Sequence, residues 1–383
     1  MVQQALAGLR VIDMTQVMAG PFCTMLLADL GADVIKVEPP AGDSSRKMAG
    51  GKNGNSPAFQ GVNRGKRGLV LDLKSAEGRE RLLALVQEAD VLVENYRAGV
   101  MEDLGLGYEA LKQINPGLIY CSISGFGQTG PYRQRGGFDL IAQGMSGIMS
   151  VTGEPGGAPA KCGLPITDLG AGLFGVYGIL AAYIYKLRTG KGQHVDTSLL
   201  DAGVALSIWE AAQYFSGQGV PERMGSAHRM TGPYQAVRCS DGYLNVGAAN
   251  PTNWERLART LGLEHLIGRP EYATDTDRVR NRKELAAEIE AVTAGNTRAH
   301  WMQLLDEAGV PSGPILTYDE VFADPHVQAR GLVVEVEHPA MGRVKALGHP
   351  VKFSETPAED ARPAPLLGQH SGEILGGPGW KPR

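Results

Sequence analysis

One carboxylate stands out for its setting. Asp168 lies in Gly163-Leu164-Pro165-Ile166-Thr167-Asp168-Leu169-Gly170, and residues 169–185 hold no charge before Lys186 and Arg188 close the run ahead of Thr189-Gly190. Basic residues in a last turn followed by glycine are a helix stop signal, so Asp168 falls in or just before the first turn of a long apolar helix. The aligned peptide dipoles and unpaired N–H groups there favour an anion. Two readings fit. Asp is a preferred N-cap. It is also a suitable nucleophile or general base, because a carboxylate kept ionised by the helix end, beside Gly163, Gly170 and Gly172, leaves room for a bulky electrophile. Spacing alone leaves both open.

Three further stretches carry chemistry-bearing residues. Asn95-Tyr96-Arg97 follows an apolar strand and offers a hydrogen-bonding amide, a stacking ring and a phosphate-pairing guanidinium, or simply a polar turn. The loop from Gly125 to Gly137 holds five glycines and Pro131, which suits close backbone approach to a ligand or a long irregular connection. Residues 39–68 carry Arg46, Lys47, Lys52, Arg64, Lys66 and Arg67, a set able to hold phosphates or to form a solvated surface. Cys23, Cys121, Cys162 and Cys239 form no CxxC pair and have no nearby histidine at ligand spacing, so neither a metal site nor a disulfide framework is expected.

The elements that must position these residues read as α/β. Residues 9–14, 20–30 and 32–38 give strand, helix and strand, the pattern of a parallel sheet. Their first turn lacks G-x-G-x-x-G, so a Rossmann-like topology is supported and a dinucleotide site is not. Strands at 68–73, 90–94, 117–124 and 192–198 and helices at 76–89, 138–149, 169–185 and 199–216 extend it. Composition changes at 217–232, where Gly, Pro, Ser, Arg and His replace apolar periodicity. A hairpin at 234–238 and 243–247 and helices at 253–261, 282–294 and 298–308 then make a smaller α+β unit. The chain returns at 325 to strands near 332–337 and 342–346, and 365–370 begins a last short helix. The expected organisation is a large domain from 1–216 and 325–383, a linker at 217–232 and a small domain at 233–324.

A net charge of −4, from 37 basic and 41 acidic residues, argues against a general nucleic-acid binder. The run 169–185 is long enough to raise a membrane span, but its four glycines and adjacent Asp168 favour a buried helix, and no membrane partner is expected. The first residues show no basic n-region ahead of an apolar core, so no secretory leader is expected. Cysteines without a pairing pattern suit a reducing, cytoplasmic setting.

Several of these stretches together resemble one family. Ala19-Gly20-Pro21, Leu27-Ala28-Asp29-Leu30-Gly31-Ala32-Asp33-Val34-Ile35-Lys36-Val37-Glu38, Glu94-Asn95-Tyr96-Arg97, Gly125-Phe126-Gly127-Gln128-Thr129-Gly130-Pro131-Tyr132, Thr167-Asp168 and Pro365-Leu366-Leu367-Gly368-Gln369-His370 are similar, in order, to the class III CoA-transferases, the family of formyl-CoA transferase and carnitine CoA-transferase. The resemblance implies a Rossmann-like large domain built from both chain ends, a smaller inserted domain, and a homodimer of interlocked rings. It also implies that Asp168 attacks an acyl-CoA thioester, giving a mixed anhydride and then an aspartyl-CoA thioester, with CoA as substrate and no tightly bound cofactor.

By the same resemblance the CoA contacts fall on Val17 and Met18, on Leu71 to Lys74, on Asn95, Tyr96 and Arg97, and on Gly136, Gly137, Phe138 and Asp139, with Lys74 and Arg97 as phosphate partners. Pro39 and Asp103 stand where the family commonly has basic residues, which makes Arg46 and Arg64 candidates to compensate. Likeness to the succinyl-CoA-dependent members over 126–153, and a linker without a long glycine-rich insertion, favour a small or dicarboxylic acid such as succinate. Two alternatives are an acyl-CoA racemase of the same fold, whose histidine would align with Phe138, and a non-catalytic acyl-CoA-binding protein. His228 is the histidine of the linker region and a candidate to line the site.

Overall fold

The computed structural model describes residues 4–48, 55–358, 362–377 and 379–381. Six parallel strands, β1 (Arg10–Asp13), β2 (Asp33–Glu38), β3 (Arg67–Val70), β4 (Val91–Glu94), β5 (Ile119–Ser124) and β6 (His194–Ser198), form one sheet in the order β3-β2-β1-β4-β5-β6. The order reverses between β1 and β4, the crevice where ligands of such sheets bind. The helices of this part are α1 (Ala19–Asp29), α2 (Pro57–Asn63), α3 (Ala76–Glu88), α4 (Val100–Asp103), α5 (Tyr108–Ile114), α6 (Asp139–Met145), α7 (Ile148–Val151), α8 (Ile166–Thr189), α9 (Leu199–Leu206) and α10 (Ile208–Phe215).

Strand residues alternate between two cores. Val11, Val34, Val91 and Ile119 pack with Leu27 of α1 and Ile179 of α8 on one face, while Ile12, Ile35, Leu92 and Tyr120 pack with Leu82, Val86 and Leu111 on the other. A sheet covered on both faces needs near-continuous apolar strands, which is why these runs read clearly.

The glycines of α8 set how near it comes. A Cβ at Gly172 would lie 2.8 Å from the Ala19 carbonyl oxygen, one at Gly175 would lie 2.8 Å from Ile123 Cδ1, and one at Gly178 would lie 2.6 Å from Val195 Cγ1. α8 is long and apolar enough to cross a membrane, yet its glycine face is packed on α1, β5 and β6.

The basic stretch 39–68 is interior. Lys36–Asp43 (3.0 Å), Arg46–Glu38 (2.6 Å), Arg64–Asp29 (2.5 Å), Lys66–Asp13 (2.8 Å) and Arg67–Asp33 (2.6 Å) are buried or nearly buried ion pairs. Neither the phosphate loop nor the solvated surface describes them. Burial alone would push Asp13 up, but the ammonium groups of Lys66 and Lys36 hold it down at about 2. Lys47 is exposed, and Lys52 lies outside the described residues. The same stretch contains α2, capped by Ser56 and opened by Pro57, a start signal that the charges obscure.

Two expected helices are shorter. The one at 138–149 stops at Met145, because Gly147 adopts φ 89°. The one at 199–216 breaks at Ser207, whose Oγ donates back to the Gly203 carbonyl at 3.0 Å, a bond that competes with the helical ladder. The last short helix is Ser371–Gly376, after a turn in which Gly368 has φ 67°.

The chain divides into two compact units, one of residues 1–148, 161–218 and 325–383 and one of residues 149–160 and 219–324. The second has an antiparallel sheet, β7 (Tyr234–Cys239), β8 (Gly242–Gly247) and β9 (Ser312–Pro314), and helices including α11 (Pro251–Thr260), α12 (Asp275–Arg280), α13 (Arg282–Thr293) and α14 (Arg298–Glu307). Its core joins Val237 and Leu244 to Trp254, Leu257, Leu285, Ile289 and Trp301. The returning segment of the first unit adds the hairpin β10 (Val333–His338) and β11 (Gly342–Leu347).

Helical Gly→Ala normally stabilises, and at exposed Gly61 of α2, where nothing lies within 4 Å, it should add up to about 1 kcal/mol. At Gly172 the new methyl meets main chain that cannot move aside, so Gly172→Ala should instead cost about 1–3 kcal/mol. Urea unfolding of both variants checks the opposite signs.

Candidate active site

A cavity of about 230 Å³ opens at the carboxyl ends of β1, β4 and β5, at the reversal of strand order. It is lined by Gln16, Val17, Met18 and Ala19 after β1, Asn95 and Tyr96 after β4, Ile123, Ser124 and Gly125 of β5 and its end, Gly137, Phe138 and Asp139, Leu199, and Asp168. Another cavity of the same volume, beside Asp29, Arg64, His349 and Lys352, is lined by groups already committed to one another: Asp29 accepts from Arg64 and pairs with His349 at 3.2 Å.

Asp168 is not the helix cap. Pro165 holds that position without a side-chain hydrogen bond, and Asp168 stands in the first turn of α8. Its carboxylate has no hydrogen-bond or ion-pair partner among the described residues. The neighbouring carboxylate is fully engaged. Asp139 Oδ1 accepts from the Thr167 backbone N–H at 3.0 Å and from Thr167 Oγ1 at 2.8 Å, and Oδ2 accepts from Gln143 Nε2 at 2.7 Å. Gln143 is fully buried, and its Oε1 accepts from the Cys162 N–H at 2.8 Å. Asp139 thus ties the start of α6 to the residue before Asp168.

These two facts decide the protonation of Asp168. Burial and the nearby negative charge of Asp139 push its carboxyl up to about 7, against the helix-end effect that by itself would keep it ionised. A desolvated carboxylate poised near neutrality is a stronger nucleophile and base than one in water.

The two ends of the glycine-rich loop between β5 and α6 approach each other. A Cβ on Gly125 would lie 2.7 Å from Gly137 Cα, and one on Gly137 would lie 2.5 Å from Gly125 Cα. This backbone-on-backbone contact brings Phe138 and Asp139 to the end of β5. The Phe138 ring is 74% exposed at the cavity.

Of the residues expected to contact CoA, Val17, Met18, Asn95, Tyr96, Gly137, Phe138 and Asp139 line the cavity with Asp168. Leu71, Lys74, Arg97 and Gly136 lie outside its lining. Leu71 packs in the core with Leu82 and Val86. Lys74 is exposed. Arg97 is exposed too and lies over Gly136, where an added Cβ would come within 2.7 Å of Nη2.

Arg46 and Arg64, the candidates to compensate for Pro39 and Asp103, are committed to interior partners. The first is bound to Glu38 and the Pro365 carbonyl with its guanidinium on the Phe59 ring, and the second is bound to Asp29. His228 belongs to the second unit, where its ring meets Tyr234 at 5.2 Å between centroids.

Sequence reasoning missed Gln16, Ala19, Ile123, Ser124 and Leu199 in the lining, and Lys36, Asp43 and Glu94 outside it. Two of these had a signal: Lys36 and Glu94 are charges in strands that are buried on both faces. Glu94 accepts from the Tyr96 N–H at 2.8 Å, and burial pushes it up to about 7.

The sequence pattern of CoA-transferase family III matches residues 6–371. A succinyl-CoA:glutarate CoA-transferase of Homo sapiens is 43% identical over 372 residues, 97% of this chain and 85% of that protein. A succinyl-CoA:mesaconate CoA-transferase of Haloarcula marismortui is 42% identical over 381 residues, 97% of this chain and 96% of that protein. Among solved structures, a CAIB/BAIF family protein from Brucella suis superposes with a TM-score of 0.88 at 41% identity, covering 98% of this chain and 99% of its own.

The carboxyl C=O band in infrared difference spectra between the wild type and Asp168→Ala should titrate with a midpoint near 7. Asp139→Asn removes the like charge, so the midpoint should move to lower pH. An unmoved midpoint would leave burial as its whole cause.

Proposed function

The chain belongs to CoA-transferase family III, and we propose that it moves CoA from succinyl-CoA or a similar dicarboxylyl-CoA to a second dicarboxylic acid, with Asp168 as the nucleophile. Transfer of CoA between acids, with the thioester as substrate, is the activity of the family. The observation that carries the nucleophile is a desolvated carboxylate, without a partner among the described residues, lining the cavity at the reversal of strand order.

Ionised Asp168 attacks the thioester carbonyl; the C–S bond breaks, and the products are a mixed anhydride and CoA thiolate. The thiolate attacks the aspartyl carbonyl of the anhydride, expelling the donor carboxylate and leaving an aspartyl-CoA thioester. The acceptor carboxylate attacks that thioester, forming a second anhydride and releasing thiolate again. Attack of the thiolate on the acceptor's acyl carbon gives the new acyl-CoA and restores Asp168. Covalent catalysis divides one difficult exchange into easier steps. The starts of α1 and α8, neither with a side-chain cap, direct partial positive charge to the cavity that both line, where oxyanions develop.

The acceptor class is supported by the relatives named for glutarate and mesaconate, both dicarboxylic acids. Two-base racemisation lacks a partner for Asp168 at position 138, because the phenyl ring there carries no proton. Four unpaired cysteines support a reducing, cytoplasmic compartment.

We also propose the interlocked homodimer. α8 and α10 leave Tyr177 (72%), Leu187 (69%), Ile208 (69%) and Phe215 (81%) exposed, an apolar surface of the kind that marks an interface. Sedimentation at micromolar concentration should give twice the chain mass; a monomer would overturn this.

Asp168→Ala should abolish exchange while CoA still binds by calorimetry, and hydroxylamine added with succinyl-CoA should trap a mass adduct on Asp168 of the wild type. Turnover retained by Asp168→Ala would remove it from the mechanism. Among acceptors screened against succinyl-CoA, dicarboxylic acids should outpace monocarboxylic acids of equal length.

A further inference from the structure

The segment between β1 and α1 is held more tightly than a connecting turn requires. Asn95 grips the main chain of Gln16 at both ends, its Oδ1 accepting from the Gln16 N–H at 2.8 Å and its Nδ2 donating to the Gln16 carbonyl at 2.8 Å. The N–H of Val17 is shared between both oxygens of Asp43, each at 3.3 Å. Lys36 Nζ donates to the Thr15 carbonyl at 2.5 Å and to Asp43 at 3.0 Å. Thr15 donates from N and Oγ1 to Asp13 at 2.9 and 2.5 Å. Asp13, Lys36 and Asp43 are fully buried. On the far side, a Cβ at Gly20 would lie 2.3 Å from Thr15 Cγ2, so α1 begins directly against the segment.

At the centre sits Val17, with φ 68°, the one non-glycine residue of positive φ among those described. A β-branched residue there is a genuine outlier, which persists only where the surroundings hold it. Glycine would adopt the same backbone without strain, so what valine adds is its side chain. That side chain is 38% exposed and lines the cavity with Asp168.

We propose that Asn95 and Asp43 are positioning residues for CoA transfer, holding Gln16–Val17 so that the Val17 side chain forms the wall against which the acyl-CoA thioester is set opposite Asp168. This rests on the reading that the thioester enters this cavity. In this reading the Asn95 amide serves the loop, its Oδ1 and one N–H being turned to Gln16.

A double-mutant cycle on the full-length protein tests it, with succinyl-CoA as donor and glutarate as acceptor. Asn95→Ala should raise the KM for succinyl-CoA about tenfold with kcat changed less than about threefold, because it disturbs where the thioester sits and not the nucleophile. Val17→Gly should raise the same KM at least about threefold. If Asn95 acts through Val17, the double variant should lose no more than about threefold beyond the worse single variant, whereas direct contact with CoA would make the losses multiply and overturn the proposal. Val17→Gly does not depend on the other variant folding, and an unchanged KM for it overturns the proposal alone. Asp168→Ala reports separately on the nucleophile: turnover retained there would sink that reading and leave the cycle interpretable.

Discussion

A carboxylate kept from water without a partner is costly, and this architecture is arranged around keeping one. Asp168 is desolvated, lies near a second negative charge and has no cation beside it among the described residues. A buried salt bridge would be the usual relief, and the same unit makes several within its interior. A guanidinium or ammonium beside Asp168 would instead lower its affinity for a proton and make it a weaker nucleophile and base.

The neighbouring acid has the opposite treatment. Both oxygens of Asp139 are spent on Thr167 and on the buried amide of Gln143. That network orients the first turn of α8 while its charge raises the affinity of Asp168 for a proton. Two carboxylates in the first turns of their helices therefore do different work, one satisfied and structural, one unsatisfied among the described residues and poised.

Rigid support comes from beneath. Asp13 and Glu38, buried at the ends of β1 and β2, pair with Lys66 and Arg46, and beside them Lys36 holds Asp43, which accepts from the Val17 N–H of the cavity wall. Buried ion pairs contribute modestly to stability but specify one arrangement when every member is satisfied. The glycines of α8 supply the complementary condition, close approach of α1, so that two helix starts open on one small space.

The amino-acid sequence by itself determined the strands, the long helix and the candidate nucleophile, since each is written in residues near one another. Apolar runs of strand length mark a sheet covered on both faces, and a lone acid at the edge of an uncharged stretch marks a helix mouth. It could not determine which side chain meets which. Asn95 and Gln16 are 79 positions apart, Lys66 and Asp13 are 53 apart, and Arg46 reaches the Pro365 carbonyl across 319. Which partner an interior arginine or asparagine takes depends on distant segments brought within hydrogen-bonding distance. Hydrophobic periodicity carries local conformation, whereas the pairing of polar groups is set by the path of the whole chain, and only the tertiary structure decided it.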